Sequence, residues 1–255
     1  MTYDSTEQLF DDDPVLGKFL VNYPADRLRL LIQGGAALLV VYFVTTVALW
    51  QADAGFAAAV TVLVIAAATL LVGWYATHLW NREIVIFEKG FYYREGSNIA
   101  PILYADVSSI QQRGERRSYF GGLIRRNMLI FTMRTEREEL IILNRLYRRL
   151  DELTLRLEKT IVEARLPIIH NKLENGERIA FGDRLKLSAI GLHEGGRDLT
   201  WENFGGYRIQ SGRINIYAQP DGVWHSAPLS EVDNIRMLID LLQERHAQVV
   251  ESDAS

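Results

Sequence analysis

Residues 88–96 read EKGFYYREG, and residues 188–196 read SAIGLHEGG. Each stretch holds a glycine turn, a short strand and a second glycine turn. Just beyond, ILYADV (102–107) is echoed by LTWENF (199–204): apolar, then aromatic, then acidic, then apolar again. VSSIQQ from residue 107 has its counterpart in YRIQ from residue 207. A further hairpin follows in each half, and each half closes on one long amphipathic helix. Self-similarity of this kind is the signature of a duplicated unit, and missing it misassigns the fold.

Working outward, β-branched and aromatic runs bounded by Gly, Asn and charged turns predict strands over 84–87, 91–94, 99–104, 107–112, 127–134 and 140–143. Asn144 is a candidate helix cap. Leu146, Leu150, Leu153, Leu157 and Ile161 then recur on one helical face, and the run is expected to stop before Pro167. The second half repeats the pattern, with short strands over 179–181, 185–188, 191–194, 198–201, 207–210, 214–217 and 223–225. A helix over 234–249 turns Ile235, Leu238, Ile239, Leu242 and His246 inward. Trp201 is expected in the core of the second copy, with Tyr104 as its counterpart in the first.

Before the repeat lie two uncharged runs, Leu30 to Trp50 and Ala54 to Leu79. Each exceeds the roughly 20 residues needed to cross a hydrocarbon core, which predicts a transmembrane hairpin. An acidic arm with Asp11, Asp12 and Asp13 precedes the first run, unlike the basic start of a cleavable signal. The connection near Gln51 has no Lys or Arg, whereas Arg27, Arg29 and Arg82 flank the opposite ends. The positive-inside rule then puts both termini in the cytoplasm. The absence of cysteine agrees with a reducing compartment. Small residues such as Gly34, Gly35 and Gly73 suit close helix packing, within the hairpin or between copies.

The expected order is an acidic arm (1–27), a two-helix hairpin (28–82), a first module (83–166), a second module (167–249) and a disordered tail (250–255). The class is α+β, each module a small bent sheet or partly open barrel closed by its C-terminal helix. This arrangement resembles the pleckstrin-homology-like fold in its bacterial form, present twice. The whole order also resembles an uncharacterised bacterial family known as a domain of unknown function. That likeness rests on Leu16-Gly17 with Tyr23-Pro24, the hairpin, VIFEKGFYYREG, and FGDRLKLSAIGL followed by LTW. It implies a fold and a membrane setting, and brings no established activity; the expected location is the bacterial inner membrane.

Chemistry is thinly marked. Five histidines (His78, His170, His193, His225, His246) and no cysteine give no metal-ligand spacing. There is no nucleophile elbow, phosphate loop or dinucleotide fingerprint. His193 and His225 are read as surface residues. The sequence therefore predicts a non-enzymatic protein without metal or cofactor.

One segment stands out: RGERRSYFGGLIRRN, residues 113–127. Arg113, Arg116, Arg117, Arg125 and Arg126 flank a tip of Tyr119, Phe120, Leu123 and Ile124. Residues 83–166 carry 15 basic and 12 acidic residues, net +3, while residues 1–82 are net −3 and 167–255 net −4. The basic excess thus lies in the module directly following the membrane. Anionic lipid attracts each nearby Lys or Arg by about 1 kcal/mol. A hairpin with seven-residue arms would project about 23 Å at roughly 3.3 Å per residue. The expected function is membrane-anchored binding or scaffolding, with this loop on anionic lipid or a membrane partner protein. The alternative is a structural subunit of a homo-oligomeric or multi-protein assembly. Nucleic acid is not expected, because the chain is acidic overall and has no broad basic face.

Overall fold

The computed structural model describes residues 12–50, 56–119, 124–220 and 222–253. The chain forms two compact units, Met1–Leu103 with Leu146–Leu150, and Tyr104–Arg145 with Asp151–Ser255.

The first unit begins with β1 (Phe19–Pro24), continues through α1 (Arg27–Trp50) and α2 (Phe56–Trp80), and returns to β2 (Glu83–Phe87), β3 (Gly90–Glu95) and β4 (Asn98–Leu103). The strands form one antiparallel sheet in the order β1-β2-β3-β4. Tyr23 pairs with Ile84 and Pro24 with Glu83, so the two helices are inserted between neighbouring strands. The ladder runs to the helix bases, where the Ala25 N–H donates to the Arg82 carbonyl at 2.9 Å. There Ala25, Leu30 and Leu79 bury together, with Leu146 packed against them. β1 lies in the segment read from sequence as an acidic arm. FLVNYP does not alternate and ends in proline, so only its partner strand reveals it.

Both helices are long and apolar enough to cross a membrane. Their hydrocarbon faces outward: Leu39 is 70% exposed and Leu70 74%. Contiguous apolar surface of this extent marks a membrane or a partner, not water. A Cβ on Gly34 would meet Val72 at 3.4 Å, whereas Cβ atoms on Gly35 and Gly73 would meet nothing within 4 Å. Only Gly34 of these three serves helix packing within the hairpin.

The second unit holds β5 (Val107–Tyr119), β6 (Ile124–Thr135) and β7 (Leu140–Leu143), then α3 (Leu150–Glu174). It continues with β8 (Ile179–Ala180), β9 (Leu185–Ser188), β10 (Gly191–Glu194) and β11 (Arg197–Thr200). The last elements are β12 (Phe204–Gln210), β13 (Arg213–Ala218), β14 (Gly222–Pro228) and α4 (Ile235–Asp253). The same order thus occurs twice. Four strands in one sheet, a 3-10 turn, three strands in another and a long helix describe β1 to α3 and again β8 to α4.

Closed barrels are not found. The described residues form four open antiparallel sheets. The ladder ends both times at the 3-10 turn, Tyr104–Asp106 or Trp201–Asn203. At the second turn the Phe204 N–H bonds back to the Trp201 carbonyl, so the chain leaves one sheet and opens the next. The core is shared instead of enclosed. Leu187, Leu192 and Leu199 from one sheet and Phe204, Ile214 and Ile216 from the other join Met237, Leu238, Leu241 and Leu242 of α4 in one buried cluster. The buried face of α4 is therefore rotated from the expected one, and His246 is exposed.

α3 does not stop at Pro167 but runs through it to Glu174. Proline removes one helical hydrogen bond. The apolar face nevertheless continues: Leu153, Leu157 and Ile161 are fully buried, and Ile169 and Leu173 extend the row. Val162, Ile169 and Leu173 belong to the second-unit cluster, which offsets the lost bond by burial. Tyr104 is 2% exposed, as its core role requires. Trp201 is only half-buried, and its indole N–H donates to the Ala189 carbonyl at 2.9 Å.

Candidate functional site

The arginine segment is a two-stranded ribbon. β5 and β6 pair without interruption from Ser109↔Arg134 to Tyr119↔Ile124, whereas β7 pairs only with Phe131–Arg134. From Arg113↔Ile130 onward the hairpin therefore runs past the third strand, seven residues along β5. That is about 23 Å of extended chain. Arg117 is the register partner of Arg126, Arg116 of Asn127 and Ser118 of Arg125. Phe120 and Leu123 lie outside the described residues. Arg113, at the ribbon's root, is exposed and lines a cavity of about 300 Å³ with Gln111, Asp183, His225 and Asp233.

The ribbon's base is held by a contact that the sequence did not signal. Asn234, with φ of 51°, uses its side chain as a piece of strand. Ile110 N–H donates to its Oδ1 at 2.9 Å, and its Nδ2 donates to the Ser108 carbonyl at 3.0 Å. The Asn234 N–H completes the set on the Ile110 carbonyl at 2.8 Å. The edge of β5 is thereby capped at its start.

The two histidines read as surface residues are both buried. His225 is 4% exposed, and its Nδ1–H donates to Glu194 Oε1 at 2.8 Å. Glu194 also pairs with Arg197, whose guanidinium lies 5.6 Å from the Trp224 ring centre. Among the described residues His225 Nε2 and Asp233 Oδ1 have no hydrogen-bond partner. Burial pushes the Asp233 carboxyl above the usual range, against a hydrogen bond from Gln111.

His193 stands in a second chain of bonds. Its Nδ1–H donates to Asp198 Oδ1 at 2.6 Å, and its Nε2 lies 2.8 Å from Ser188 Oγ. The order hydroxyl, imidazole, carboxylate is that of an activated nucleophile. Here, however, Ser188 is 6% exposed, and its Oγ also contacts the Gly191 carbonyl and the Ile190 N–H. That hydroxyl is committed to the β9–β10 turn. No sequence motif marks the constellation, because it forms across register partners: His193 pairs with Asp198.

At the base of the hairpin, Glu95 gathers cations and a phenol. Arg82 bonds to it, Tyr93 O–H donates to it at 3.0 Å, and His78 lies 3.6 Å away. Glu83, 6% exposed, is clasped by Arg94 at 2.8 Å and by Asn22 of β1 at 3.2 Å. Arg27 lies 5.3 Å from the Trp80 ring centre. Such arginine and tryptophan pairs suit the water boundary of a bilayer. No group of three or more metal-ligating side chains occurs among the described residues.

Comparison with curated proteins gives no match. From residue 1 to residue 251 the chain matches a family described as a family of unknown function, DUF6585, and it belongs to that family.

Proposed function

We propose that this is a bacterial inner-membrane protein without enzymatic activity, anchored by α1 and α2, that uses two pleckstrin-homology-like modules for binding or scaffolding. The arginine ribbon is its contact with anionic lipid or with a membrane-bound partner. One observation carries this reading. A basic two-stranded ribbon runs past its sheet in the first copy, and the second copy has only the short β12–β13 turn in its place. An extension found in one of two like modules is best explained by a task that only one performs.

The pairing of β1 with β2 supports the topology. Strands that share a ladder lie on one side of a bilayer, so both ends of the hairpin face the same compartment. Arg27, Arg29 and Arg82 lie at that end, which the positive-inside rule assigns to the cytoplasm.

The test uses the full-length protein in bilayer discs of neutral or anionic lipid, following amide exchange over residues 113–130. Protection that requires anionic lipid and disappears on changing Arg116, Arg117, Arg125 and Arg126 to Glu supports lipid contact. Equal exchange in both lipids removes it. A second reading, a structural subunit of a homo-oligomer, is favoured by Gly35. It opens on an apolar groove of about 460 Å³ with Leu38, Leu39, Tyr42 and Ile65. A strictly monomeric mass in detergent would eliminate that reading.

A further inference from the structure

The outer face of the β8–β11 sheet carries a second cationic site, independent of the ribbon. A cavity of about 650 Å³ opens there, within the range of small-molecule sites, about 300–1,000 Å³. Its basic walls are Arg178, Arg184, Lys186 and Arg197; its acidic walls are Asp183, Glu194 and Asp198. The pairings decide what remains. Arg197 is bound to Glu194, and Asp198 is bound to His193. Among the described residues Arg178, Arg184 and Lys186 make no ion pair, so three cations face one space; the carboxylates opposite them are Asp183 and the exposed Asp198, whose partner is an imidazole and not a fixed cation.

Register explains the grouping. Lys186 pairs with both Ala180 and His193, and His193 pairs with Asp198, so these positions form one row across the sheet. Arg184 immediately precedes β9 and lines the same cavity as Lys186, while Leu185 and Leu187 point into the core. His193 is 6% exposed, with both ring nitrogens engaged, and makes a fixed floor. The rim is Gly195-Gly196, where an added Cβ would meet nothing within 4 Å, so a ligand can approach bare backbone. Like charges held together raise the local potential and concentrate counter-ions.

We infer that this face binds a multiply charged anion of the phosphate class, through Arg178, Arg184 and Lys186. The phosphate belongs either to a soluble phosphate compound or to a lipid headgroup, and the experiment separates the two. Full-length protein in neutral-lipid discs is titrated with inorganic pyrophosphate by calorimetry. In parallel, amide exchange over residues 184–198 is compared between neutral and anionic discs. Arg178→Gln, Arg184→Gln and Lys186→Gln are tested singly and together, with the four-arginine ribbon variant as control. All three residues are exposed, so the fold should tolerate the changes.

Each single change should weaken binding about fivefold and the triple change about a hundredfold, at about 1 kcal/mol per charge. The ribbon variant should bind as the wild type does. Pyrophosphate binding lost in the triple variant identifies a soluble ligand. Protection that needs anionic lipid and is lost in the triple variant identifies a headgroup. The inference is overturned if neither probe acts on the wild type, or if the triple variant responds as the wild type does. Because the ribbon variant is scored separately, this result does not depend on the lipid reading of the ribbon.

Discussion

A methyl group on Gly191 would stand 2.1 Å from the carbonyl oxygen of Leu199, on the neighbouring strand. In the first copy Gly90 meets the Ile102 carbonyl in the same way, at 2.3 Å. The two glycines open corresponding strands, β10 and β3, and each lets the next strand cross at backbone distance.

Replacing either glycine by alanine should therefore destabilise its sheet by about 1–3 kcal/mol, the usual cost of overpacking. Gly114→Ala is the control, since its Cβ would meet nothing within 4 Å. It should stay within about 0.5 kcal/mol of the wild type. Urea unfolding of the three variants in discs reads the difference. Equal midpoints for Gly191→Ala and Gly114→Ala would refute the close approach.

Asn234 ties the start of α4 to the edge of β5. Asn234→Ala removes two side-chain hydrogen bonds, worth about 1 kcal/mol each, and leaves alanine at positive φ. Asn234→Gly removes the bonds but not the tolerance of that conformation. Both variants should expose Ser108–Ile110 to amide exchange, and the alanine variant should be the less stable. Unchanged exchange at Ile110 in both would show that the bonds do not hold the strand.

Glu158 gives a pH dependence with a definite sign. Burial raises its carboxyl above the ordinary value, partly offset by the nearby Arg236. A carboxyl whose folded value is raised favours folding below its unfolded value. That contribution is lost as pH rises through the folded value. At neutral pH the wild type has lost it, so Glu158→Gln should be the more stable protein there. The advantage should vanish below the ordinary carboxylate range. Melting curves at pH 4 and pH 7.5 test this, and a constant difference across that range would contradict it.

Much of the fold was legible because local signals agreed. The glycine turns, the acidic step after Tyr104 and Trp201, and the apolar face of Leu153, Leu157 and Ile161 all report structure within a few residues. What escaped depended on distant partners. β1 is a strand only because Ile84 and Val85 lie beside it. The helix passes Pro167 because Ile169 and Leu173 find a core. His193 and His225 look like surface residues until Asp198 and Glu194 meet them across the sheet. The arginine ribbon was readable as a hairpin, with the arm length it has. Its anchoring by Asn234, over a hundred positions away in sequence, had no sequence signal.

β1 also governs how the protein should be handled. A soluble fragment beginning at residue 83 would lack the strand that pairs with β2 and would expose a buried edge. Binding experiments therefore need the full chain in a bilayer. The absence of cysteine makes that practicable, since one introduced thiol carries one label.

The most direct test is depth. A spin label on Ser118→Cys, near the end of β5, is followed in full-length protein in discs by its relative accessibility to oxygen and to a water-soluble nickel chelate. The account predicts a label at the lipid headgroups in anionic discs and in water in neutral ones. Changing Arg116, Arg117, Arg125 and Arg126 to Glu should restore the watery signal in anionic discs. A label equally water-exposed in both lipids would contradict the claim that the ribbon reads the membrane surface.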